Sequence, residues 1–237
     1  LGVSHIEFRD THEYPFSGPV RSHKVAMTRR LPGSADALWQ EVGSKRRSQV
    51  RRAVREGARV EFGAGELLDG FYKVFARNMR DLGTPVYGKH FFRSILERVP
   101  GHAQIVLVCL RGEPVAGGFL LGYRERMEIP WASSLRRANR YGVNMLLYWE
   151  ALKLAIERGY AVFDFGRSTR DGGTYRFKRQ WGAEPAPLYW HYWLREGAAL
   201  PQLSPDNPRY ALAVRAWKRL PVFVARLIGP MIVKNLP

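Results

Sequence analysis

Between Asp164 and Gly182 (DFGRSTRDGGTYRFKRQWG) the sequence gathers a carboxylate, several glycines and a cluster of cations. Asp164, together with Glu128 earlier in the chain, is the carboxylate best suited to accept or orient a proton. Asp164 on a short apolar strand can equally pair with Arg167 or Arg170. Gly166, Gly172 and Gly173 point to a tight turn with unusual dihedrals, close to ligand or chain. Lys178, with Phe177 beside it and Arg176 and Arg179 around it, is a cation next to an aromatic, a type of residue able to stabilise developing negative charge. It can equally be one of several solvated cations on a short helix. A second group, Arg140, Gly142 and Asn144 in NRYGVNM, stands where a helix begins, so backbone N–H groups and the helix dipole can hold an anion. A plain helix start capped by Asn139 accounts for the same residues. A third group, Arg80, Thr84 and Tyr87, lies on or beside a helix–helix loop and reads as a pocket wall or a simple turn. Trp131–Ser134 ends a strand, where Ser133 can offer its hydroxyl to a carbonyl.

Composition narrows these options. The chain has 38 Lys+Arg against 21 Asp+Glu, a formal charge of +17, so its partner is expected to be anionic. The excess is mostly arginine, whose planar fork suits phosphate and carboxylate. Nucleic acid, a phosphate-rich cofactor, a nucleotide-sugar and a lipid headgroup all stay open. The one cysteine, Cys109, excludes a disulfide framework and sits in the apolar run Ile105–Leu110, which reads as a buried strand. The six histidines show no ligand spacing, so no metal is expected. No segment reaches the ~18 uninterrupted apolar residues of a spanning helix, and no secretory signal is recognisable. A cytoplasmic protein, with peripheral contact at the inner membrane face, is the expectation. The chain opens at Leu1 on strand-like sequence, so a fragment without its true N-terminus is expected.

The elements that must position these residues follow from periodicity. Residues 3–8 and 23–28 read as short strands. Ser34 and Ser44 open two helices, the second of which Gly57 stops. A strand at Val60–Phe62 precedes amphipathic helices at Glu66–Leu82 and His90–Val99. Ala103–Leu110, Pro114–Tyr123 and Arg126–Ser133 then form three consecutive strands. Tyr141–Arg158 is a helix apolar nearly all round and must be buried on most of its surface. Strands at Ala161–Phe165 and Leu188–Leu194 enclose the Gly-rich turn. The fold class is α+β with a mostly antiparallel mixed sheet flanked by helices. Beyond Leu200 a break at Pro205–Pro208, a helix at Arg209–Arg219 and an apolar segment at Leu220–Val233 are expected. Residues 217–234, flanked by Trp and Lys/Arg, read as a membrane-surface segment or as a tail packed on the main domain.

This element order resembles the GNAT fold, in which a long helix follows a three-stranded meander and the sheet splays beside it. SKRRSQVRRAVREG resembles the helix leading into the second GNAT-like domain of Fem-type transferases. LGTPVYGKHFF resembles the acceptor-side loop of that domain, and FDFGRS followed by YRFKRQWG resembles its strand and F-K-x-x-W-G signature. Together with RNMRDLGTPVYGK, EIPWASSLRR and GVNMLLYWE, these phrases make the chain similar to FemAB-related proteins associated with exosortase/PEP-CTERM systems, from about residue 20 onward.

The resemblance implies three parts. Residues 1–58 would be the end of an N-terminal GNAT-like lobe with basic linking helices, 59–196 a GNAT-like acyltransferase domain, and 197–237 a helical, apolar tail. It implies an N-acyltransferase moving an acyl or aminoacyl group to an amine of a cell-envelope or exopolysaccharide precursor. No cofactor would be bound. Acyl-CoA or aminoacyl-tRNA would be the co-substrate, and tRNA a further partner. Lys178 and Phe177 would face the donor or the tetrahedral intermediate, with Asp164 as the accompanying carboxylate. Arg140, Gly142, Asn144, Arg167 and Ser133 would bind the donor, and Arg80, Thr84, Tyr87 and Tyr175 the acceptor. The helix start departs from the usual pyrophosphate loop: Asn139 stands three residues before Gly142, and Asn144 replaces the second small residue. The competing reading is a non-catalytic basic module that binds nucleic acid or an anionic membrane.

Overall fold

A computed structural model describes residues 2–200 and 208–234. In chain order the elements are β1 (His5–Asp10), β2 (Val20–Arg21), β3 (Lys24–Arg30), α1 (Ala35–Glu41), α2 (Ser44–Arg55), β4 (Ala58–Gly63), α3 (Leu68–Leu82) and α4 (Lys89–Arg98). The meander β5 (Ala103–Leu110), β6 (Glu113–Tyr123) and β7 (Arg126–Ser134) follows. Then come α5 (Val143–Glu157), β8 (Val162–Thr169), α6 (Gly173–Arg179), β9 (Glu184–Pro187), β10 (Tyr189–Leu194), α7 (Pro208–Trp217) and α8 (Val222–Val233).

One seven-stranded sheet has the order β4-β5-β6-β7-β8-β3-β9, and β1-β10-β2 form a second, three-stranded sheet. All pairings are antiparallel except β7 with β8. Two apolar cores lie on opposite faces of the large sheet. One packs α1, α2 and α5 against Met127, Ile129, Phe163 and Phe165. The other packs α3, α4, Trp217 and Ala225 against Ile105, Leu107 and Phe119. Alternation along a strand sends neighbours to opposite faces, so Glu128 and Asp164, next to residues of the first core, belong to the α3 face.

The antiparallel mixed α+β sheet agrees with the sequence reading; several boundaries differ. The helix expected from Tyr141 begins at Val143. Arg136–Tyr141 is a 3₁₀ turn, and Gly142, at φ 79°, is the N-cap in place of Asn139. A left-handed residue cannot continue an α-helix, and glycine adopts it without strain. β8 runs on to Thr169 past a bulge. β9, EPAP, is absent from the sequence reading: its prolines suit an edge strand only, and among the described residues it pairs with β3 alone. β3 inserts between β8 and β9, and α1 and α2 join the core around α5. Residues 24–55 therefore share sheet and core with 59–187, where the sequence reading separates them. Of the break expected at Pro205–Pro208, residues 205–207 lie outside the described residues and Pro208 opens α7.

Candidate active site

Pairing between the parallel strands β7 and β8 covers only three registers, ending at Glu128 opposite Asp164. Both strands continue, β7 to Ser134 and β8 to Thr169, but apart. Each bulges as it leaves: β7 places Ile129 and Pro130 against Leu120, and β8 places Phe165 and Gly166 against Met27. A bulge bends its strand and increases its twist, so two bulges at this point open a wedge-shaped gap in the middle of the sheet. At the bulge Gly166 has φ 73°, and its N–H donates to Asp164 Oδ1 at 2.8 Å.

Lys178 of α6 sits against β8 where the strand leaves this gap. Phe177, its neighbour, packs edge-to-face on Tyr148 of α5 with centroids 4.9 Å apart, which holds α6 in place. Lys178 is 8% exposed, and its Nζ donates to the carbonyls of Gly166 at 3.1 Å and Arg167 at 2.9 Å. Burial lowers its pKa to about 8, against the opposing pull of Asp164 and Glu128. Two of the three N–H groups of the ammonium are thus engaged by β8.

The two carboxylates differ. Asp164 is tied to Arg126 Nη1 at 2.9 Å and to the Gly166 N–H. For Glu128 no hydrogen bond is found among the described residues. Burial and the neighbouring Asp164 raise its pKa, with Arg126, Arg167 and Lys178 opposing. Asp164 is therefore an organiser of the bulge, and Glu128 is the less engaged of the two carboxylates. Glu128 is legible in the sequence as a plausible proton acceptor, but not as the neighbour of Asp164. Its position opposite Asp164 is the signal, and it exists only in the folded register.

The other expected residues divide into separate groups. Arg167 lies at the gap, its guanidinium 5.9 Å from the ring of Trp190. Ser133 is buried, and its Oγ accepts from Asn78 Nδ2 at 3.1 Å. Arg140 instead lines a cavity of about 340 Å³ by the β5–β6 turn, with Arg111, Arg137 and Tyr141, on the β6 side of β7. Gly142 is buried under α2: a Cβ there would lie 2.3 Å from the Gln49 carbonyl oxygen. No side chain caps α5, and Asn144 stands in its first turn. Arg80 is committed elsewhere, donating to the Lys218 and Leu220 carbonyls at 3.3 and 3.1 Å. Thr84 closes the end of α3, its N–H bonding the Met79 carbonyl at 2.9 Å. Tyr87 joins an aromatic wall with Phe91 and Trp131 on the α3 face. Tyr175 packs with the core on the opposite face, so the structure does not bring it together with Tyr87. No group of residues able to hold a metal occurs among the described residues.

A second cavity, of about 480 Å³, is lined by Arg29, Arg30, Arg46 and Arg179 with Glu41 and Glu184. Arg29 is already spent on Glu41 and on the carbonyl of Trp181.

Known proteins show the same architecture. FemX superposes with a TM-score of 0.63 at 16% identity, covering 89% of this chain and 68% of FemX. L-PGS from Bacillus licheniformis gives 0.58 at 18%, covering 90% and 67%. The C-terminal domain of a putative lysylphosphatidylglycerol synthetase from Agrobacterium fabrum gives 0.57 at 15%, covering 76% and 62%. The chain spans about two thirds of the length of each. No curated protein matches the sequence. The family model described as an acetyltransferase (GNAT) domain matches residues 44–179, a span that holds α2, the β5–β7 meander, α5 and Lys178. With the splayed β7–β8 pair at its centre, the chain belongs to the GNAT acetyltransferase-domain family.

Proposed function

We propose that the chain is an N-acyltransferase whose donor carbonyl and acceptor amine meet where β7 and β8 part. The amine nitrogen attacks the activated carbonyl carbon, and Glu128 takes the proton that the nitrogen sheds. The remaining N–H of Lys178 stabilises the oxyanion, or a donor phosphate lying beside it. Collapse of the tetrahedral species expels the thiolate of CoA or the terminal ribose oxygen of tRNA, and the proton passes from Glu128 to that leaving group. Asp164 and Phe177 act through position: one holds the bulge that presents the Gly166 carbonyl, the other holds α6.

The observation that carries this reading is the ammonium of Lys178, pinned by two β8 carbonyls beneath the end of the Glu128–Asp164 register. Arg167 is the nearest candidate for the donor's phosphates. Arg140, in its separate cavity by the β5–β6 turn, would meet only a distal part of a phosphate-bearing donor such as acyl-CoA or aminoacyl-tRNA, while Gly142, buried under α2 with its N–H on the Asn139 carbonyl, and Ser133, bonded to Asn78, serve the frame of the site. The aromatic wall of Tyr87, with Thr84 beyond it, would receive the acceptor, an anionic envelope precursor. An exopolysaccharide precursor of an exosortase-linked system is the specific acceptor class to try first.

The test is a mass-spectrometric transfer assay with acyl-CoA and aminoacyl-tRNA donors against amine-bearing precursors. Transfer from one donor class is expected. Lys178→Ala should lower kcat about 10²-fold with the donor KM little changed, the loss typical of removing one oxyanion donor. Absence of transfer from both donors, or full turnover in Lys178→Ala, would refute the reading.

A further inference from the structure

The outer face of α8 presents apolar side chains to solvent. Phe223, Leu227 and Met231 recur at four-residue spacing, which stacks them along one side of a helix, and they are 71%, 74% and 65% exposed. Leu212 of α7 adds a fourth, at 74%. An apolar row of this kind on a folded protein marks an interaction surface.

The row cannot turn inward, because the other side of α8 is locked. Ala225 and Gly229 are buried there, and a Cβ on Gly229 would lie 2.7 Å from both N and O of Val86. The connection from α7 is fastened by Arg80 through the Lys218 and Leu220 carbonyls. Trp217 is buried in the second core. Arg226 lies 4.9 Å from the Tyr72 ring.

Charge specifies what meets the row. From Pro208 to Lys234 the sequence has no Asp or Glu, while Arg209, Arg215, Lys218, Arg219, Arg226 and Lys234 are cationic. Lys218 and Arg219 precede the row, Arg226 flanks it and Lys234 follows it. Cations around an apolar row on a helix suit an anionic lipid surface, with apolar side chains among the acyl chains and charges at the phosphates. No helix among the described residues is long and apolar enough to cross a membrane.

We propose that α8 docks this chain on an anionic phospholipid bilayer, inserting Phe223, Leu227 and Met231 below the headgroups. The α3–α4 loop, on whose Val86 the inner side of the helix rests, would then lie directly behind α8, on the side away from the acyl chains.

The test is co-sedimentation with phosphatidylcholine vesicles containing or lacking phosphatidylglycerol. Binding is expected only with phosphatidylglycerol and should weaken with salt. The triple variant Phe223→Ser, Leu227→Gln, Met231→Gln alters exposed positions only; it should keep the native circular dichroism and melting curve and bind roughly tenfold or more weakly. Arg219→Glu with Lys234→Glu, which leaves the row intact, should also weaken binding. No binding by the unaltered chain, or undiminished binding by both variants, would overturn the proposal. So would a concentration-dependent dimer that the triple variant abolishes while no vesicle binding is seen, since the row would then belong to a second copy.

Discussion

In the proposed mechanism two groups with opposite charge requirements meet at the β7–β8 gap, and their perturbation would give the reaction a pH signature. Glu128 must be ionised to take a proton, and burial with Asp164 nearby lifts its pKa, so activity should rise as pH climbs through that raised value. Lys178 must be protonated to stabilise negative charge, and burial lowers its pKa to about 8, so activity should fall above about pH 8. A bell-shaped kcat profile is expected. Lys178→Arg keeps its cation at high pH and should push the alkaline limb upward, while Glu128→Gln should flatten the acid limb and lower the plateau. A wild-type profile with no alkaline limb would remove the Lys178 charge from the chemistry. At this scale the sequence showed the cluster better than the roles. Lys178 and Asp164 were legible as chemistry-bearing residues in one run. That Asp164 is held by Arg126 and that Arg80 is held by carbonyls of the tail depends on contacts between distant segments, which spacing does not report.

Glycines separate the elements that built the site, and two of them illustrate different causes. Gly166 adopts φ 73° with no atom within 4 Å of where a Cβ would stand, whereas Gly142 adopts φ 79° with the Gln49 carbonyl oxygen 2.3 Å from that point. Gly166→Ala should therefore cost only the left-handed conformation, about 1–2 kcal/mol. Gly142→Ala adds a clash with α2 backbone that no rotamer relieves, and should cost more than about 3 kcal/mol. Urea denaturation of the two variants checks the order; equal losses would mean that α2 yields easily. The glycines around Asp164 were readable as a turn, and the α5 periodicity as a buried helix. The 3₁₀ turn before α5 and the proline-rich β9 were not, since hydrophobic period carries no signal for a six-residue turn or an edge strand whose neighbour lies far away in sequence.

At the scale of the whole molecule the sequence order is a poor guide to what folds together. The expected break after residue 58 follows from the resemblance to two-lobed transferases, yet β3 pairs on one side with β8 and on the other with β9. Val25, Met27, Leu38, Val42, Val50 and Ala53 are all buried in the core that also holds α5 and Trp181. Removing residues 1–58 would strip β8 of one neighbour and β9 of its only one among the described residues, leaving unpaired strand edges. It would also expose the α5 face that α1 and α2 cover. The apolar burial lost amounts to five larger side chains at about 1.5–3 kcal/mol each, which is comparable with the whole stability of an ordinary domain. A chain truncated to residues 59–237 should therefore show no cooperative thermal transition and should bind a hydrophobic dye, while a chain starting at residue 20 keeps β3, α1 and α2 and should melt cooperatively. Truncation at residue 59 that leaves a sharp melting transition would instead mean that residues 1–58 pack on a self-sufficient domain. The two outcomes also bear on catalysis, because β3 is the strand that braces the β8 bulge at Gly166, and with it the two carbonyls that hold Lys178.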